Sequence, residues 1–498
     1  MLASVLTFEI LGVEAHEVSV EVDVGSGLPC FSLVGLPDAA VRESRERVRA
    51  ALVNSGFEFP QQRITASLAP ADLRKAGPGL DLAIAAALLA ASGQLDPHAL
   101  DAVALSGELA LDGGIRPVAG ALAMAEKAHR RGARALVVAV PNSAEAALGG
   151  APVIGLSQLE ELCALGTEDE PAAAEPLQLS VKGSGPSLPD LADLRGQPVL
   201  RRALEVAAAG GHSLLMIGPP GAGKSMAARR LPSLLPPLAP AEAIEAVRIA
   251  GACGQSSHGA SSGVRPFRAP HHTISAAGLV GGGSPPRAGE ATLAHRGVLF
   301  LDELPEFRRD AIEALRQPLE EGRVLIARAR HAIELPCRFQ LVAAANPCPC
   351  GHGETSPSCR CPALSIRRYS TKLTGALADR IDLSLHVEQP DTAALRGPHE
   401  EGSASVRERV LAARERQHRR QGEGCNAQLT SRDTRAHCRL DSDAQRLLDE
   451  SHRRLGLSGR GYERVLRVAR TLADLAGRDR IAVDHLGEAL ALRRRGAT

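Results

Sequence analysis

The chain has no tryptophan, two tyrosines and eight phenylalanines in 498 residues. Its cores must therefore be aliphatic, and a row of aromatic platforms for stacking unpaired bases is excluded. Nucleic acid, if bound, would be held mainly through charge. No uncharged apolar run reaches the ~18 residues that a membrane-spanning helix needs. The opening MLASVLTFEI has neither a basic leader nor a small-residue cleavage site. A cytoplasmic protein with no membrane partner is the expectation. A net charge is also nearly absent, at +1.

That near-neutrality hides an uneven distribution. From Leu395 to the end, 22 arginines stand against 15 aspartates and glutamates, so this part carries +7 and the remainder −6. The basic part is either a solvated helical surface or one that faces a polyanion. Apolar residues make up 44% of the chain, enough to fill the cores of about three domains.

Residues 1–165 alternate β-like runs (VSVEVDV, RITASLAP, ALVVAV) with helical patterns such as AAVRESRERVRAALVNSG and DLAIAAALLAASG, which predicts an α/β domain. Residues 166–190, GTEDEPAAAEPLQLSVKGSGPSLPD, are rich in Pro, Gly, Ser and acids and read as a linker. Residues 191–392 alternate apolar strands (SLLMIG, GVLFLDE, FQLVAAAN, DLSLHV) with helices, the pattern of a parallel sheet with covering helices. Residues 393–498 read as helical almost throughout.

The strongest motif is GPPGAGKS: Gly218, Pro219, Pro220, Gly221, Ala222, Gly223, Lys224 and Ser225. It follows an apolar strand and opens a helix, the context in which glycines let backbone N–H groups converge on phosphate oxygens. Lys224 supplies charge at the terminal phosphates and Ser225 a ligand for Mg²⁺. GVLFLDEL then offers Asp302 as the Mg²⁺ partner and Glu303 to orient the attacking water; the bland reading is a helix cap. FQLVAAAN ends in Asn346, placed to hold that water or the terminal phosphate. GALADRIDL adds Arg380, and SGRGYERVLRVARTLADL adds Arg460 and Arg464.

This ordered set resembles the AAA+ ATPases, here with ATP and Mg²⁺ as substrate and cofactor. GEATLAHRGVLFLDEL, LEEGRVLIARARHAIELPCRFQLVAAANPCPCG and ADRIDL are similar to magnesium-chelatase subunits and minichromosome maintenance helicases. GLPCFSLVGLPDAAVRESRERVRAALVNSGFEFP, LAPADLRKAGPGLDLAIAAALLAASGQL and RPFRAPHHTISAAGLVGGG narrow the resemblance to the bacterial ComM/YifB family across nearly the whole chain. It implies an AAA+ P-loop core with a C-terminal helical lid. It also implies a homo-hexameric ring that drives branch migration of DNA in natural transformation, acting on single-stranded and branched DNA. Arg380 would be a finger entering the neighbouring subunit's site and Arg460 a second sensor, with Arg464 as its substitute. A β-hairpin from Arg323 to Glu334, bearing Arg323, Arg328, Arg330 and His331, would face DNA in the pore; the alternative is a solvated ribbon. Loading partners are not specified.

SGELALDGGIRPVAGALAMAEKAHRRGARALVVAVPNS resembles the proteolytic domain of Lon, a ribosomal-protein-like α/β fold. The serine position of that family is Gly79 here and the lysine position is Leu122, so nucleophile and base are both missing. Ser106 and Lys127 lie nearby in sequence without a motif that joins them. The domain is expected to be structural or to contact DNA. A chelatase-type or protein-remodelling ATPase fits the core motifs equally well, although no DxSxS signature occurs.

Finally, Cys348, Cys350, Cys359 and Cys361 place four of the ten cysteines within NPCPCGHGETSPSCRC. Four thiolates match a closed tetrahedral Zn²⁺ site, with His352 as a spare ligand; free thiols or an iron–sulfur cluster are the alternatives.

Overall fold

The computed structural model describes residues 1–180, 188–283, 286–327, 332–353, 357–373, 377, 380–396 and 400–493. The N-terminal sheet is built from β1 (Leu2–Leu11), β2 (Glu14–Gly25), β3 (Cys30–Val34), β4 (Arg63–Ala69), β5 (Val103–Leu105), β6 (Ala135–Ala139) and β7 (Val153–Leu156), in the order β3-β4-β2-β1-β5-β6-β7. The period-2 pattern in β2 sends Val18, Val20, Val22 and Val24 into the core, leaving Glu21 and Asp23 exposed on the other face. Helix α1 (Ala39–Asn54) starts on an Asp38 cap, and α2 (Asp81–Ala91) is buried along its whole length, as its unbroken apolar run requires. Helix α3 (Ala121–Arg131) covers the other face of the sheet.

The second sheet is wholly parallel. It contains β8 (Leu214–Ile217), β9 (Phe267–Arg268), β10 (Val298–Leu301), β13 (Gln340–Ala345) and β14 (Leu383–His386), in the order β9-β10-β13-β8-β14. Between β10 and β13 the chain makes a separate hairpin of β11 (Arg323–Ala327) and β12 (Ala332–Pro336). Helices α4 (Pro198–Gly210) and α5 (Lys224–Leu234) share an aliphatic core with this sheet.

The C-terminal region is helical: α6 (Ser403–Gln421), α7 (Ser431–His437), α8 (Ser442–Leu455), α9 (Gly459–Leu475) and α10 (Val483–Ala491). Thr430, Asp441 and Ser458 cap α7, α8 and α9 by accepting from backbone amides. Gln417 and Arg414 donate to the carbonyls of Ala209 and Ala208, fastening α6 to the end of α4. No helix among the described residues is long and apolar enough to cross a membrane.

The segment between the first two domains is extended but not loose. The amides of Ala174 and Leu177 bond to the carbonyls of Val153 and Ala144, and that of Ser180 to Ser261 of the core. The domains also meet directly. Leu122 is completely buried in a cluster with Leu238, Ala243, Ala246, Val247 and Ala260 of the core. Around it, Arg248 pairs with Glu126 at 3.3 Å and Ser257 donates to Glu145 at 2.7 Å. Leu122, the position to which the resemblance to Lon would assign a lysine, is thus a docking residue. Lys127 lies apart from Ser106: it pairs with Glu17, while the Ser106 hydroxyl donates to the Gly79 carbonyl.

Candidate functional site

The parallel register decides where chemistry can occur. Apolar β8, β10 and β13 end together, so the polar residues that follow each strand converge at one edge of the sheet. A cavity of about 360 Å³ opens there, lined by the 220–226 turn together with Asp302, Glu303, Ala345 and Asn346. Gly218 is obligatory, because a Cβ would lie 2.2 Å from the Val387 carbonyl oxygen. Gly221 and Gly223 take left-handed φ values of 78° and 88°, which lets the loop wrap before α5 begins. Gln389 donates to the Pro220 carbonyl and Gln197 to that of Ala222, anchoring the loop from outside.

Within the cavity, Lys224 Nζ donates to the carbonyls of Gly218 and Pro219 and to Asn346 Oδ1, the last at 3.2 Å. Burial lowers the affinity of its ammonium for the proton, opposed by the carboxylates of Asp302 and Glu303. Ser225 Oγ donates to Asp302 Oδ2 at 2.6 Å. This hydroxyl–carboxylate pair is an oxygen donor set suited to Mg²⁺, which would offset phosphate charge when bound. Glu303 has a left-handed backbone, φ 52°, and its carboxylate lies 3.5 Å from Nδ1 of His272.

Arg380 lies at the other edge of the sheet. Its carbonyl accepts from Ser213, the residue before β8, so a strand length separates it from its own chain's phosphate loop. Its guanidinium donates to Glu320 Oε1 at 2.5 Å, and Arg460 approaches the same oxygen at 3.9 Å. Arg464 pairs instead with Asp382 at 3.3 Å. None of the three arginines lines the cavity.

The four cysteines come together: all four sulfurs lie within 4.8 Å of one another. Cys348–Cys350 are 3.3 Å apart, Cys350–Cys359 3.7 Å and Cys348–Cys359 3.8 Å. A tetrahedron with Zn–S bonds of ~2.3 Å has edges of about 3.8 Å, so the set fits zinc. The backbone N–H of His352 and the Cys348 thiol pull the Cys350 thiol down to about 6, whereas burial pushes Cys361 up to about 12 and Cys359 is raised as well, so a metal would have to draw the proton from those two. The loop also touches the phosphate site, because Gly351 packs against Pro220 so closely that a Cβ would be 2.9 Å away.

Three family models cover most of the chain. Residues 190–395 match magnesium chelatase subunit ChlI, 20–142 match subunit ChlI of Mg-chelatase, and 400–493 match the ChlI C-terminal region. The chain is 46% identical over 495 residues to the uncharacterized protein YifB of Salmonella typhimurium, covering 99% of this chain and 97% of that one. It is 45% identical over 498 residues to competence protein ComM of Haemophilus influenzae, again covering 99% and 97%. The chain belongs to the magnesium-chelatase-like ComM/YifB family.

In this ComM/YifB protein the hairpin starts at Arg323 as expected but runs to Pro336, two residues past Glu334, and one face is not free. Val324, Ile326, Ile333 and Leu335 are buried, and Ile333 and Leu335 press against Gly12 in the β1–β2 turn. Arg323, on the open face, pairs with Glu334 and Glu321. Arg328, Arg330 and His331 lie outside the described residues. His272 is not among the residues that motifs single out. Its only sequence signal is the paired His in RAPHHTIS, a loop whose return to the acid pair is a property of the fold.

Proposed function

We propose that this chain is an ATP-driven DNA motor that works as a homo-hexameric ring and moves branched DNA junctions during recombination of incoming DNA. The observation that carries the ATPase part is the single cavity joining Lys224, the Ser225–Asp302 pair, Glu303 and Asn346. In this reading the backbone of the 218–225 loop and Lys224 hold the phosphates of ATP, and Ser225 and Asp302 hold Mg²⁺, which would offset the phosphate charge. Glu303 orients a water and accepts its proton, and Asn346 fixes the terminal phosphate through the amide that also meets Lys224.

Arg380 supports a ring, since it lies at the opposite edge of the sheet from its own cavity. It is proposed as the finger entering the neighbour's site, with Arg460 beside it as a second sensor. An isolated subunit then lacks the charge that stabilises the transferring phosphoryl group, and hydrolysis depends on assembly. The four-cysteine loop is proposed to hold a structural Zn²⁺ that fixes the segment leaving Asn346.

The DNA part is supported by the relative named a competence protein and by the basic C-terminal region. A second reading, a chelatase-type or protein-remodelling ATPase, is favoured by the magnesium-chelatase family models. Junction migration by purified protein with ATP separates the two, with Glu303→Gln as the control that retains ATP without turnover. DNA-stimulated hydrolysis is expected of the motor. Hydrolysis indifferent to DNA, with no binding to forked or single-stranded DNA at low salt, would refute it in favour of the remodelling reading.

A further inference from the structure

The arginine surplus of the C-terminal region is not spread evenly over its helices. Six arginines, at 416, 419, 420, 439, 478 and 480, line one concavity of about 510 Å³. It lies where α6, the end of α7 and the turn after α9 meet. The turn is built from behind: buried Arg470 donates to the carbonyls of Arg478 and Asp479 and pairs with Asp474 at 3.0 Å. Arg420 takes both oxygens of the same Asp474, at 2.7 and 2.8 Å. The acid in the floor is therefore neutralised inward.

On the rim, Arg419 pairs with Glu415 at 2.9 Å. Arg416, Arg439, Arg478 and Arg480 are exposed, and no carboxylate lies within 4.0 Å of any of them among the described residues. Asp479 is the one remaining acid of the lining. Four unpaired guanidinium groups thus converge on a concave wall, a concentration of like charge that costs stability unless an anion shares it. The remaining lining residues are Ala436 and His437. The lining has no Phe, Tyr or Trp to stack on a base, and Ala436 is its one apolar side chain, so guanidinium charge is the dominant feature of the wall.

We infer that this concavity holds the sugar–phosphate backbone of duplex DNA. A guanidinium fork engages phosphate oxygens in pairs, and a duplex presents one charge per ~1.7 Å without asking for base contacts. The site lies at the far end of α9 from Arg460, so DNA there would grip the lid helix whose start faces the Arg380 edge. The inference rests on the DNA-motor reading and names a surface for it.

The test uses the full chain and fluorescence anisotropy of a labelled duplex of about 30 base pairs across a salt series, with thermal unfolding as the check on folding. R439A/R478A/R480A is expected to lower the slope of log K against log salt by about 3, and to weaken low-salt binding by ~10-fold or more. R439K/R478K/R480K, which keeps the charge, is expected to retain most of the affinity. An alanine variant with the wild-type slope, a lysine variant as weak as the alanine one, or loss confined to single-stranded DNA would each overturn the inference. If wild-type protein binds no duplex at all, the motor reading falls as well. If wild-type binds and migrates junctions while the alanine variant is indistinguishable from it, only this surface is refuted.

Discussion

His272 Nδ1 lies 3.5 Å from Oε2 of Glu303, bridging two segments distant in sequence at the mouth of the cavity that Glu303 lines. The left-handed turn at Glu303 swings its side chain off the strand axis, and His272 meets it there. His272 is itself braced, with the His271 ring 4.1 Å away and the Phe307 ring edge-on at 6.4 Å. His272→Ala is expected to slow ATP hydrolysis by ~10-fold or more. Nucleotide affinity should stay within about twofold, because Lys224, Ser225 and Asp302 are untouched. Equilibrium binding of a fluorescent nucleotide beside steady-state hydrolysis checks this, and an equal loss in both would make His272 a folding residue.

Arg380 and its own cavity lie at opposite edges of one sheet, so subunit mixing is informative. Arg380→Ala and Glu303→Gln should each be inactive alone. An equal mixture is expected to regain up to about a quarter of wild-type hydrolysis, the share of interfaces that join an intact glutamate to an intact arginine. A mixture as inactive as its components would remove Arg380 from the neighbour's site.

Contact between Gly351 and Pro220 couples the cysteine loop to the phosphate loop. Cys359→Ser with Cys361→Ser should lose one zinc per chain by elemental analysis and lower the thermal midpoint. The KM for ATP should rise a few-fold while kcat changes less, since Glu303 and Asp302 belong to another strand. Zinc-free wild-type protein, purified without chelator, would instead leave the four thiols without a metal role.

Glu9 supplies a pH signature of the N-terminal domain. Burial pushes its carboxyl from 4.5 up to about 8, against the Ala76 amide that donates to it. The folded protein therefore holds this proton more tightly than the unfolded chain. The resulting stability is fully present below about pH 4.5 and is lost as pH rises through 8. Glu9→Gln should accordingly raise the unfolding free energy by about 2–4 kcal/mol at about pH 8.5 and change it little at about pH 4.5. Urea unfolding at the two pH values checks the sign.

The phosphate loop, the acid pair and Asn346 are legible in the sequence because each is encoded locally: a buried apolar strand, then a polar residue at the end that the parallel sheet gathers. The helical C-terminal region is legible from periodicity, while the caps at Asp441 and Ser458 emerge only in the structure. Partnerships between distant segments are not legible. Nothing in EEGRVL marks Glu320 as the carboxylate near both Arg380 and Arg460. The linker reads as free because its composition lacks periodicity, yet backbone amides tie it to both domains. The hairpin reads as a charged ribbon, while its alternate residues are buried, Ile333 and Leu335 against the N-terminal turn.

Leu122 closes a route as well as a joint. Its side chain is enclosed by core residues, so a lysine at that position would have to bury an ammonium group between two domains. A substitution that placed a lysine there would first pry the N-terminal domain from the core that carries it. The joint between the two domains thus limits what position 122 can hold, and the N-terminal domain is free to vary only elsewhere on its surface.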